Sequence, residues 1–327
     1  SSVAREGAGA AASAGPMRAA RPRLLAVAWL PACVVGLLER EVGGTPGGAG
    51  RPVIINTDPG IDDAIALLLA AASPELDVRA VCVSFGSLPD VRRLAHNALG
   101  ILSLAGRDDI PVYLGAAGPL TEPYRNLGGA DFHGADGLGG VAVAVPGGRA
   151  ANGSATAAEA IVHACRTWRP PPAIVSLAPM TDIALALALE PRLPALCPDV
   201  LAMGGAVTYP GNVGPLAEAN LAGDADAARR VFAAGFNLTV APLDVTMATW
   251  LDDEYLRSLR TLSGSAGKFV WDISRFYAEA YKKYGGFAGG MPLHDPTPVL
   301  ALVRPELYGI RRWPATVDAA PHPSATR

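Results

Sequence analysis

Residues 52–72 read PVIINTDPGIDDAIALLLAAA, and this stretch indicates the fold of the chain. Its apolar, β-branched beginning, Pro52–Asn56, predicts a buried strand, and the largely apolar segment Asp62–Ala72 predicts a helix. A Pro-Gly pair at residues 59 and 60 separates the two and predicts the turn between them. A strand that leads directly into a helix is the repeating unit of α/β folds.

The same alternation continues along the chain. Further strands are predicted at Val78–Val83, Ile110–Leu114, Ala173–Leu177, Val200–Met203 and Asn237–Ala241. Further helices are predicted at Val91–Ala105, Thr156–Trp168, Thr181–Leu189 and Lys268–Tyr284. This alternation predicts an α/β fold, with an open, mostly parallel, Rossmann-like sheet and helices on both faces. Because ligands of such sheets bind beyond the carboxyl ends of the strands, we expect the functional residues at that edge.

Two long segments, residues 115–155 and 204–215, are rich in glycine and predict loops, which in compact domains are often functional. The helix at residues 268–284 is predicted to be amphipathic. Its apolar stripe consists of Phe269, Ile273, Phe276, Ala280 and Tyr284. The glycine-rich residues 285–290 that follow it suggest a hinge.

The composition limits the classes of function. Of the 327 residues, 50% are hydrophobic and 17% are charged, and the formal net charge is −3. Such a chain can bury the core of one large domain or of two small ones. A protein that binds nucleic acid polymers usually has a basic stripe, and this sequence has none, so we expect no such partner.

The four cysteines, at positions 33, 82, 165 and 197, have no metal-binding spacing. They predict free thiols in a reducing compartment, which favours a cytoplasmic location. Residues 1–50 leave two interpretations open. A basic stretch beginning at Met17 and an apolar run at residues 24–38 resemble a secretory signal, whereas the composition also fits a disordered leader. The run is shorter than the roughly 20 apolar residues of a membrane span, so we expect no span.

Three carboxylates, Asp58, Asp62 and Asp63, stand within six residues at the point where the first predicted strand meets the first helix. One aspartate at a helix N-terminus is commonly explained by capping of free backbone N–H groups. Three crowded carboxylates repel one another unless a cation neutralises them. Since oxygen ligands favour Ca²⁺ or Mg²⁺ over Zn²⁺, we favour a site for a hard cation over capping alone.

Two other elements contain polar groups that suit the same site. His294-Asp295-Pro296 follows the glycine-rich residues 285–290, and taken alone it also fits a surface turn. Asn212, Glu218 and Asn220 lie in or beside the second glycine-rich loop, and their carboxylate and amide groups can hydrogen-bond vicinal hydroxyl groups. Together these elements fit a polyhydroxylated ligand chelated to a hard cation.

In these motifs the chain resembles the inosine–uridine-preferring nucleoside hydrolase family. The resemblance extends from Pro52 to Tyr308. It rests on DPGIDDA at 58–64, FHGADGL at 132–138, APMTDIA at 178–184, MGG at 203–205, GN at 211–212, EAN at 218–220 and LHDP at 293–296. The resemblance implies hydrolysis of the N-glycosidic bond of ribonucleosides to free base and ribose, as in nucleoside salvage. It also implies a small helical lid region and a homo-oligomer, either a dimer or a tetramer.

The resemblance further implies which residues bind the cofactor and the sugar. Ca²⁺ would be bound by Asp58, Asp63, Asp295 and the main-chain carbonyl of Leu177. The 2′- and 3′-hydroxyl groups of the ribose would be held by Asp62 and Asn220, assisted by Asp295. The 5′-hydroxyl group would be bound by Asn212 and Glu218.

By the same resemblance, two residues would act on the reacting atoms. Asp58 would be the general base for the attacking water, and His294 would protonate the departing base. A carboxylate cluster suits the oxocarbenium-like transition state of glycosidic cleavage, and histidine, with a usual pKa of ~6.5, suits proton delivery. His133, in the lid segment, is a further candidate for a substrate contact. Tyr277 and Tyr281 would either stack on the base or belong to the helix core.

Three features depart from the family. Asn56 stands where members usually have Asp, and Ser87 stands where they usually have Asn. The chain ends soon after a predicted strand at Arg311–Val317, so its C-terminus is predicted to be truncated. We therefore divide the chain into a leader and linker at residues 1–50, a hydrolase domain at 51–317 and a disordered tail at 318–327.

Two alternative functions stay open at this point. One is a non-catalytic protein that binds nucleosides or ribose and retains the calcium site, which the departures at Ser87 and the C-terminus favour. The other is a Mg²⁺-dependent phosphohydrolase, since clustered aspartates at a strand end also serve phosphoryl transfer. The sequence lacks a Walker-type loop, and no Lys or Arg stands close to Asp58, so the second alternative is the weaker one.

Overall fold

A computed structural model describes residues 50–146, 151–262 and 264–319. The signal-like segment that begins at Met17, the rest of the predicted leader up to residue 49, Cys33 and the predicted tail from residue 320 onward lie outside these residues. What was predicted for them stays a prediction.

The main sheet contains six strands that are all parallel. They are β1 (Arg51–Thr57), β2 (Leu76–Val83), β3 (Val112–Leu114), β4 (Ala173–Ser176), β5 (Asp199–Met203) and β6 (Asn237–Ala241). Their order across the sheet is β3-β2-β1-β4-β5-β6. Two short strands, β7 (Trp250–Asp252) and β8 (Gly290–Pro292), form a separate antiparallel pair.

The helices alternate with the strands, as predicted. The helices up to β5 are α1 (Ile61–Ala72), α2 (Val91–Leu104), α3 (Gly129–His133), α4 (Ala157–Thr167), α5 (Thr181–Leu189) and α6 (Leu193–Leu196). Those beyond β5 are α7 (Ala219–Gly223), α8 (Ala225–Ala233), α9 (Leu243–Thr246), α10 (Asp253–Leu262), α11 (Gly264–Gly285) and α12 (Pro296–Val303). A 3₁₀ turn at Pro305–Leu307 follows α12.

The core has two layers, one on each face of the sheet. Along β1, Val53 and Ile55 point into the first layer and Ile54 points into the second, since side chains alternate along a strand. Helices α1, α2, α11 and α12 cover the first face, and α4, α5 and α8 cover the second. The predicted α/β fold with helices on both faces is therefore confirmed.

Some expectations from the sequence are wrong in detail. Residues 311–317 form no regular secondary structure, although Val317 packs partly against the second core layer. In α11, Phe276 and Tyr284 are exposed, whereas Tyr277 and Tyr281 are buried. The periodicity located the helix and three residues of its buried stripe, Phe269, Ile273 and Ala280, correctly. It was wrong at the other two positions, because the two tyrosine hydroxyl groups find partners inside the protein.

The prediction of free thiols is also wrong for two cysteines. Cys165, in the last turn of α4, forms a disulfide bond with Cys197, which follows α6. Their separation of 32 residues is unlike any short motif, so spacing alone did not reveal the pair. Cys82 is a free, buried core residue, as expected.

None of the helices in the described part of the chain combines the length and the hydrophobicity that crossing a bilayer requires.

Candidate functional site

The candidate site lies where the order of the strands reverses. β1 and β4 are neighbours, but the chain leaves β1 through α1 on the first face and leaves β4 through α5 on the second. Such a switch point opens a crevice beyond the carboxyl ends of the two strands, where α/β proteins bind ligands. Asp58 directly follows β1 and Leu177 directly follows β4, so both stand at this crevice.

A cavity of about 320 Å³ occupies the crevice, a size typical of small-molecule sites. Its walls include every residue that the sequence predicted for the site. These are Asp58, Asp62, Asp63, His133, Leu177, Asn212, Glu218, Asn220, His294 and Asp295. The fold therefore brings together residues that lie as far apart in the chain as 58 and 295.

Asp58 is held rigidly at the edge of β1. It is 5% exposed, and its Oδ2 atom accepts a hydrogen bond from the backbone N–H of Ser87. The Ser87 hydroxyl donates to the main-chain carbonyl of Asp58. Burial and the nearby carboxylate of Asp63 raise the pKa of Asp58 well above its usual range, against the opposing hydrogen bond from Ser87.

The two departures near β1 therefore have structural explanations. Ser87 uses both its N–H and its hydroxyl group to position Asp58, so its short side chain is directed at the protein rather than at a ligand. Asn56 is fully buried, and its Nδ2 atom donates to the carbonyl of Pro179 at 3.4 Å. It supports the turn after β4 and does not line the cavity.

Three carboxylates converge beside Asp58. Oxygen atoms of Asp62, Asp63 and Asp295 lie within 4.8 Å of one another, and all three side chains are buried. Burial and the mutual repulsion of these carboxylates raise the pKa of Asp295 well above its usual range and that of Asp63 to about 6. A cation would relieve this repulsion. Asp58, a predicted metal ligand, lies outside this set of three, and Asp62, predicted to bind the sugar, lies within it.

The alternative of helix capping also applies, but to only part of the cluster. The Oδ2 atom of Asp63 accepts the N–H of Gly60 at 3.0 Å, at the N-terminus of α1. Its Oδ1 atom accepts the hydroxyl of Thr57 and the N–H of Asp58, the latter at 3.3 Å. Asp62 is also hydrogen-bonded by N–H groups in the first turn of α1, but Asp295, at the start of α12, makes no side-chain capping hydrogen bond. Capping alone therefore does not explain why three acidic groups are buried together.

A second polar wall comes from the segment before α7. Glu218 is 3% exposed, and its carboxylate accepts the N–H groups of Gly205 and Asn220, each at 2.8 Å. Burial raises the pKa of Glu218 although these hydrogen bonds oppose the shift. The Nδ2 atom of Asn220 donates to the carbonyl of Leu177 at 3.0 Å. Asn212 lies exposed at the rim of the same wall.

His294 forms the opposite wall and contacts two hydroxyl groups. Its Nε2 atom lies 2.6 Å from the hydroxyl of Tyr281, and its Nδ1 atom lies 2.8 Å from Oγ1 of Thr246. Burial lowers the pKa of His294 to about 3, and burial raises the pKa of Tyr281. Both side chains are therefore neutral near pH 7, and each hydroxyl can donate or accept according to the imidazole tautomer.

The short helix α3 forms part of the cavity wall through Gly129, Phe132 and His133. From it, His133 accepts the N–H of Ile61 through Nδ1 at 3.1 Å and stacks on Tyr277 with ring centroids 5.3 Å apart. Burial lowers the pKa of His133 to about 4, so the neutral ring can accept this bond. The hydroxyl of Tyr277 donates to Oδ2 of Asp62 at 3.0 Å. Phe132 contacts the tyrosines of α11 edge-on.

Sequence reasoning underestimated several of these residues. Tyr277 and Tyr281 stand four residues apart, which places both on one face of α11, and this spacing was the available signal. Thr246 and Gly86 gave no signal, because their contacts with His294 and Asp58 join segments that are distant in the sequence.

The chain is similar to known proteins in both sequence and structure. The family model described as "Inosine-uridine preferring nucleoside hydrolase" matches residues 53–326. The chain is 34% identical over 272 residues to uridine nucleosidase 1 of Arabidopsis thaliana, covering 83% of this chain and 79% of the relative. It is 39% identical over 265 residues to the pyrimidine-specific ribonucleoside hydrolase RihA of Escherichia coli O1:K1, and this match covers 80% of this chain and 83% of the relative.

Among solved structures, a purine-preferring ribonucleoside hydrolase from Gardnerella vaginalis superposes with a TM-score of 0.79 at 32% sequence identity. The match covers 84% of this chain and 86% of the other. The parallel sheet and its covering helices are thus shared with that protein.

Proposed function

This chain belongs to the inosine-uridine preferring nucleoside hydrolase family, and on this premise we propose that it hydrolyses ribonucleosides with Ca²⁺ as its cofactor. Membership of the family makes it an enzyme that hydrolyses ribonucleosides. The calcium dependence and the roles of individual residues are our proposal. The observation that supports it best is the convergence of three buried carboxylates beside Asp58 at the switch point of the sheet.

The donor set fits a calcium ion. Ligand atoms about 2.3–2.6 Å from one ion lie no more than about 5 Å from each other, as the oxygens of Asp62, Asp63 and Asp295 do. We propose that Asp58, Asp63, Asp295 and the carbonyl of Leu177 hold the ion. Two of the proposed ligands, Asp63 and Asp295, belong to this group, and the other two, Asp58 and the carbonyl of Leu177, line the same cavity. When bound, the ion neutralises the carboxylates and polarises the ribose hydroxyl groups and a water molecule.

Asp58 is the proposed general base. The N–H of Ser87 holds one of its oxygens, and the backbone of Gly86 packs against the same atom, so the carboxylate keeps one orientation. A fixed base reacts without the cost of reorganisation that a mobile side chain would add. Asp58 takes a proton from the water that attacks the anomeric carbon.

The sugar would be bound between the two polar walls. Asp62, Asn220 and Asp295 would hold the 2′- and 3′-hydroxyl groups, and Asn212 and Glu218 the 5′-hydroxyl group. The carboxylates around the ring favour the positive charge that develops there as the glycosidic bond breaks. His133 and Tyr277 close the mouth of the cavity and limit the access of bulk water.

His294 would protonate the leaving base together with Tyr281. The Tyr281 hydroxyl would give its proton to the departing base and take another from Nε2 of His294, 2.6 Å away, and solvent would then return a proton to the imidazole. Thr246 holds the other ring nitrogen and thereby fixes the ring orientation. The homo-oligomeric assembly and the cytoplasmic location stay predictions, and the Cys165–Cys197 disulfide removes part of the argument for the latter.

The test is release of free ribose from uridine, inosine and adenosine by the purified protein. Uridine comes first, because the Arabidopsis thaliana relative is described as a uridine nucleosidase and the Escherichia coli relative as a pyrimidine-specific ribonucleoside hydrolase. We expect turnover that disappears after chelation, returns with Ca²⁺, and falls by at least about 10³-fold in Asp58→Ala. Asp90→Ala, which removes only a cap from α2, is the matched control.

A second readout does not depend on turnover. Ca²⁺ should raise the melting temperature of the wild type but not that of Asp63→Asn, because ligands of the native state stabilise it. A protein that binds Ca²⁺ and uridine but releases no ribose would establish the non-catalytic alternative. A protein that is active and equally stable in chelator would overturn the calcium proposal.

A further inference from the structure

Asp244 is joined to the loop between β5 and α7 by four hydrogen bonds. Its carboxylate accepts three consecutive backbone N–H groups, from Val207 at 2.8 Å, Thr208 at 2.7 Å and Tyr209 at 3.0 Å. The Thr208 hydroxyl also donates to it. Three successive N–H groups converging on one carboxylate fix the backbone of that segment, which otherwise has no regular structure.

The charge of Asp244 favours this arrangement. Partial burial raises its pKa, but the hydrogen bonds from Thr208, Val207 and Tyr209 outweigh this effect and hold the pKa below its usual value. Asp244 is therefore ionised near pH 7. Hydrogen bonds to an ionised group are stronger than neutral ones, so the bonds fix the loop more firmly than a neutral side chain would.

The loop that Asp244 holds, residues 204–217, forms one side of the cavity. Tyr209, Gly211, Asn212 and Val213 line the cavity, whereas Asp244 itself does not. At its first residues the loop is anchored separately, since the N–H of Gly205 binds Glu218. Asp244 thus holds Tyr209, which lines the cavity, and fixes the segment that leads into Gly211–Val213. Those three residues are also hydrogen-bonded to residues 215–219 of the same chain segment, so they are expected to move with the loop as a unit.

We propose that Asp244 is a positioning residue for the 5′ end of the sugar. It acts through the 204–217 loop, which presents Tyr209 and Asn212 to the cavity, and it does not touch the substrate. This inference rests on the proposed function, in which Asn212 binds the 5′-hydroxyl group. It adds a residue outside the cavity that determines how well that group is recognised.

Because of the position of Asp244 in α9, its effect on binding of the sugar can be measured separately from cleavage of the glycosidic bond. Two residues further along, Thr246 binds Nδ1 of His294 on the leaving-group side. This four-residue helix therefore supports both ends of the cavity, but through different side chains. Loss of the Asp244 carboxylate should weaken binding of the sugar, whereas loss of the Thr246 hydroxyl should affect proton delivery.

The experiment compares uridine with 5′-deoxyuridine, which lacks the hydroxyl group in question. In Asp244→Ala we expect KM for uridine to rise by about fivefold, the value of one lost neutral hydrogen bond, with a smaller change in kcat. For 5′-deoxyuridine we expect a change of less than about twofold, since the contact is already missing. Asp244→Asn should be intermediate, because its Oδ1 atom can still accept but its Nδ2 atom cannot.

Glu159→Ala is the matched control. Glu159 also accepts a backbone N–H, that of Thr156 at 2.7 Å, but it caps α4 and does not line the cavity. The Glu159→Ala variant should lose about as much unfolding free energy as Asp244→Ala, and its KM values for uridine and 5′-deoxyuridine should be unchanged. Equal losses on both substrates in Asp244→Ala, or the same pattern in Glu159→Ala, would overturn the inference.

Calorimetric binding of the two nucleosides to the inactive Asp58→Ala variant, with and without Asp244→Ala, repeats the comparison without turnover. A wild type that releases no ribose would contradict the proposed function. The ratio of the affinities for uridine and 5′-deoxyuridine would still decide the role of Asp244. A wild type that is active but shows no difference between the substrates in Asp244→Ala would contradict only the inference.

Discussion

A Cβ atom added to Gly86 would lie 2.1 Å from Oδ2 of Asp58, the same oxygen that accepts the N–H of Ser87. The carboxylate and the glycine backbone are therefore in direct contact, and any larger residue at position 86 must displace Asp58. The position of the proposed general base thus depends on a residue that has no side chain.

Gly86→Ala should inactivate the enzyme without unfolding it. Displacement of Asp58 by about 1 Å is expected to lower kcat/KM by about 100-fold. Steady-state kinetics on uridine, with circular dichroism to confirm folding, measures the effect. Gly118→Ala is the control, because a Cβ atom there meets nothing within 4 Å. Normal activity in Gly86→Ala would mean that the orientation of Asp58 does not limit the reaction.

Tyr281→Phe should impair departure of the base selectively. The change removes the hydroxyl that lies 2.6 Å from His294 and keeps the ring. We expect kcat for uridine to fall by about 100-fold, as is typical for loss of acid catalysis. A nitrophenyl riboside, whose leaving group departs without protonation, should be hydrolysed at nearly the wild-type rate.

Tyr284→Phe is the matched control for that experiment. Tyr284 lies at the rim of the cavity and is 49% exposed, and its hydroxyl is engaged with Lys283 and Asp131 rather than with His294. It should behave like the wild type on both substrates. If Tyr281→Phe lowers the rate on uridine and on the nitrophenyl riboside equally, Tyr281 has a structural role and the leaving-group assignment fails.

Asp182→Asn should stabilise the protein at neutral pH. Burial raises the pKa of Asp182 to about 6 from 3.8, against a hydrogen bond from the N–H of Ala116. Because the folded-state pKa is raised, protonated Asp182 favours folding below pH ~4, and this contribution is lost as the pH rises through ~6. The neutral amide avoids that loss, so at pH 7.5 the variant should gain about 2–3 kcal/mol.

Urea unfolding of the wild type and of Asp182→Asn at several pH values tests this expectation. The difference in unfolding free energy should be large at pH 7.5 and close to zero at pH 4. Asp182 lines no part of the cavity, so activity should be retained. A difference that does not change with pH would show that the carboxylate is ionised throughout and has an ordinary pKa.

The fold could be predicted from the sequence because its signals are local. β-branched runs followed by helical periodicity identified β1 and α1, and the Pro-Gly turn placed Asp58 between them. Thr181–Leu189 and Asn237–Ala241 were predicted with the bounds that the structure shows. The three-residue strands β7 and β8 were not recognised, whereas β3, equally short, was found because the apolar residue Ile110 extends its run.

The site was only partly predictable, because its decisive contacts join distant segments. Motifs named the acidic residues and His294, but nothing near His294 in the sequence pointed to Tyr281 as its partner. The role of Asp244 depends on a loop about 36 residues earlier in the chain. Hydrophobic periodicity even favoured Phe276 over Tyr277, because it ignores hydrogen bonds that allow a hydroxyl group to be buried.

Reduction of the Cys165–Cys197 disulfide should lower stability and leave the chemistry intact. The bond closes a loop across a separation of 32 residues, which in the chain-entropy description contributes about 3–4 kcal/mol. Cys197 precedes β5, at the amino edge of the sheet, whereas the cavity lies beyond the carboxyl edge. The folded protein should therefore keep its kcat and KM after reduction.

Thermal unfolding with and without dithiothreitol measures this effect, and the double variant Cys165→Ser/Cys197→Ser provides the control. The variant should melt like the reduced wild type and should not respond to the reductant. Cys82 is buried and free, so it adds no reducible bond that would confuse the comparison. Equal melting temperatures for oxidised and reduced wild type would mean that α4 and α6 stay in place without the bond, because packing around the two sulfur atoms already holds them.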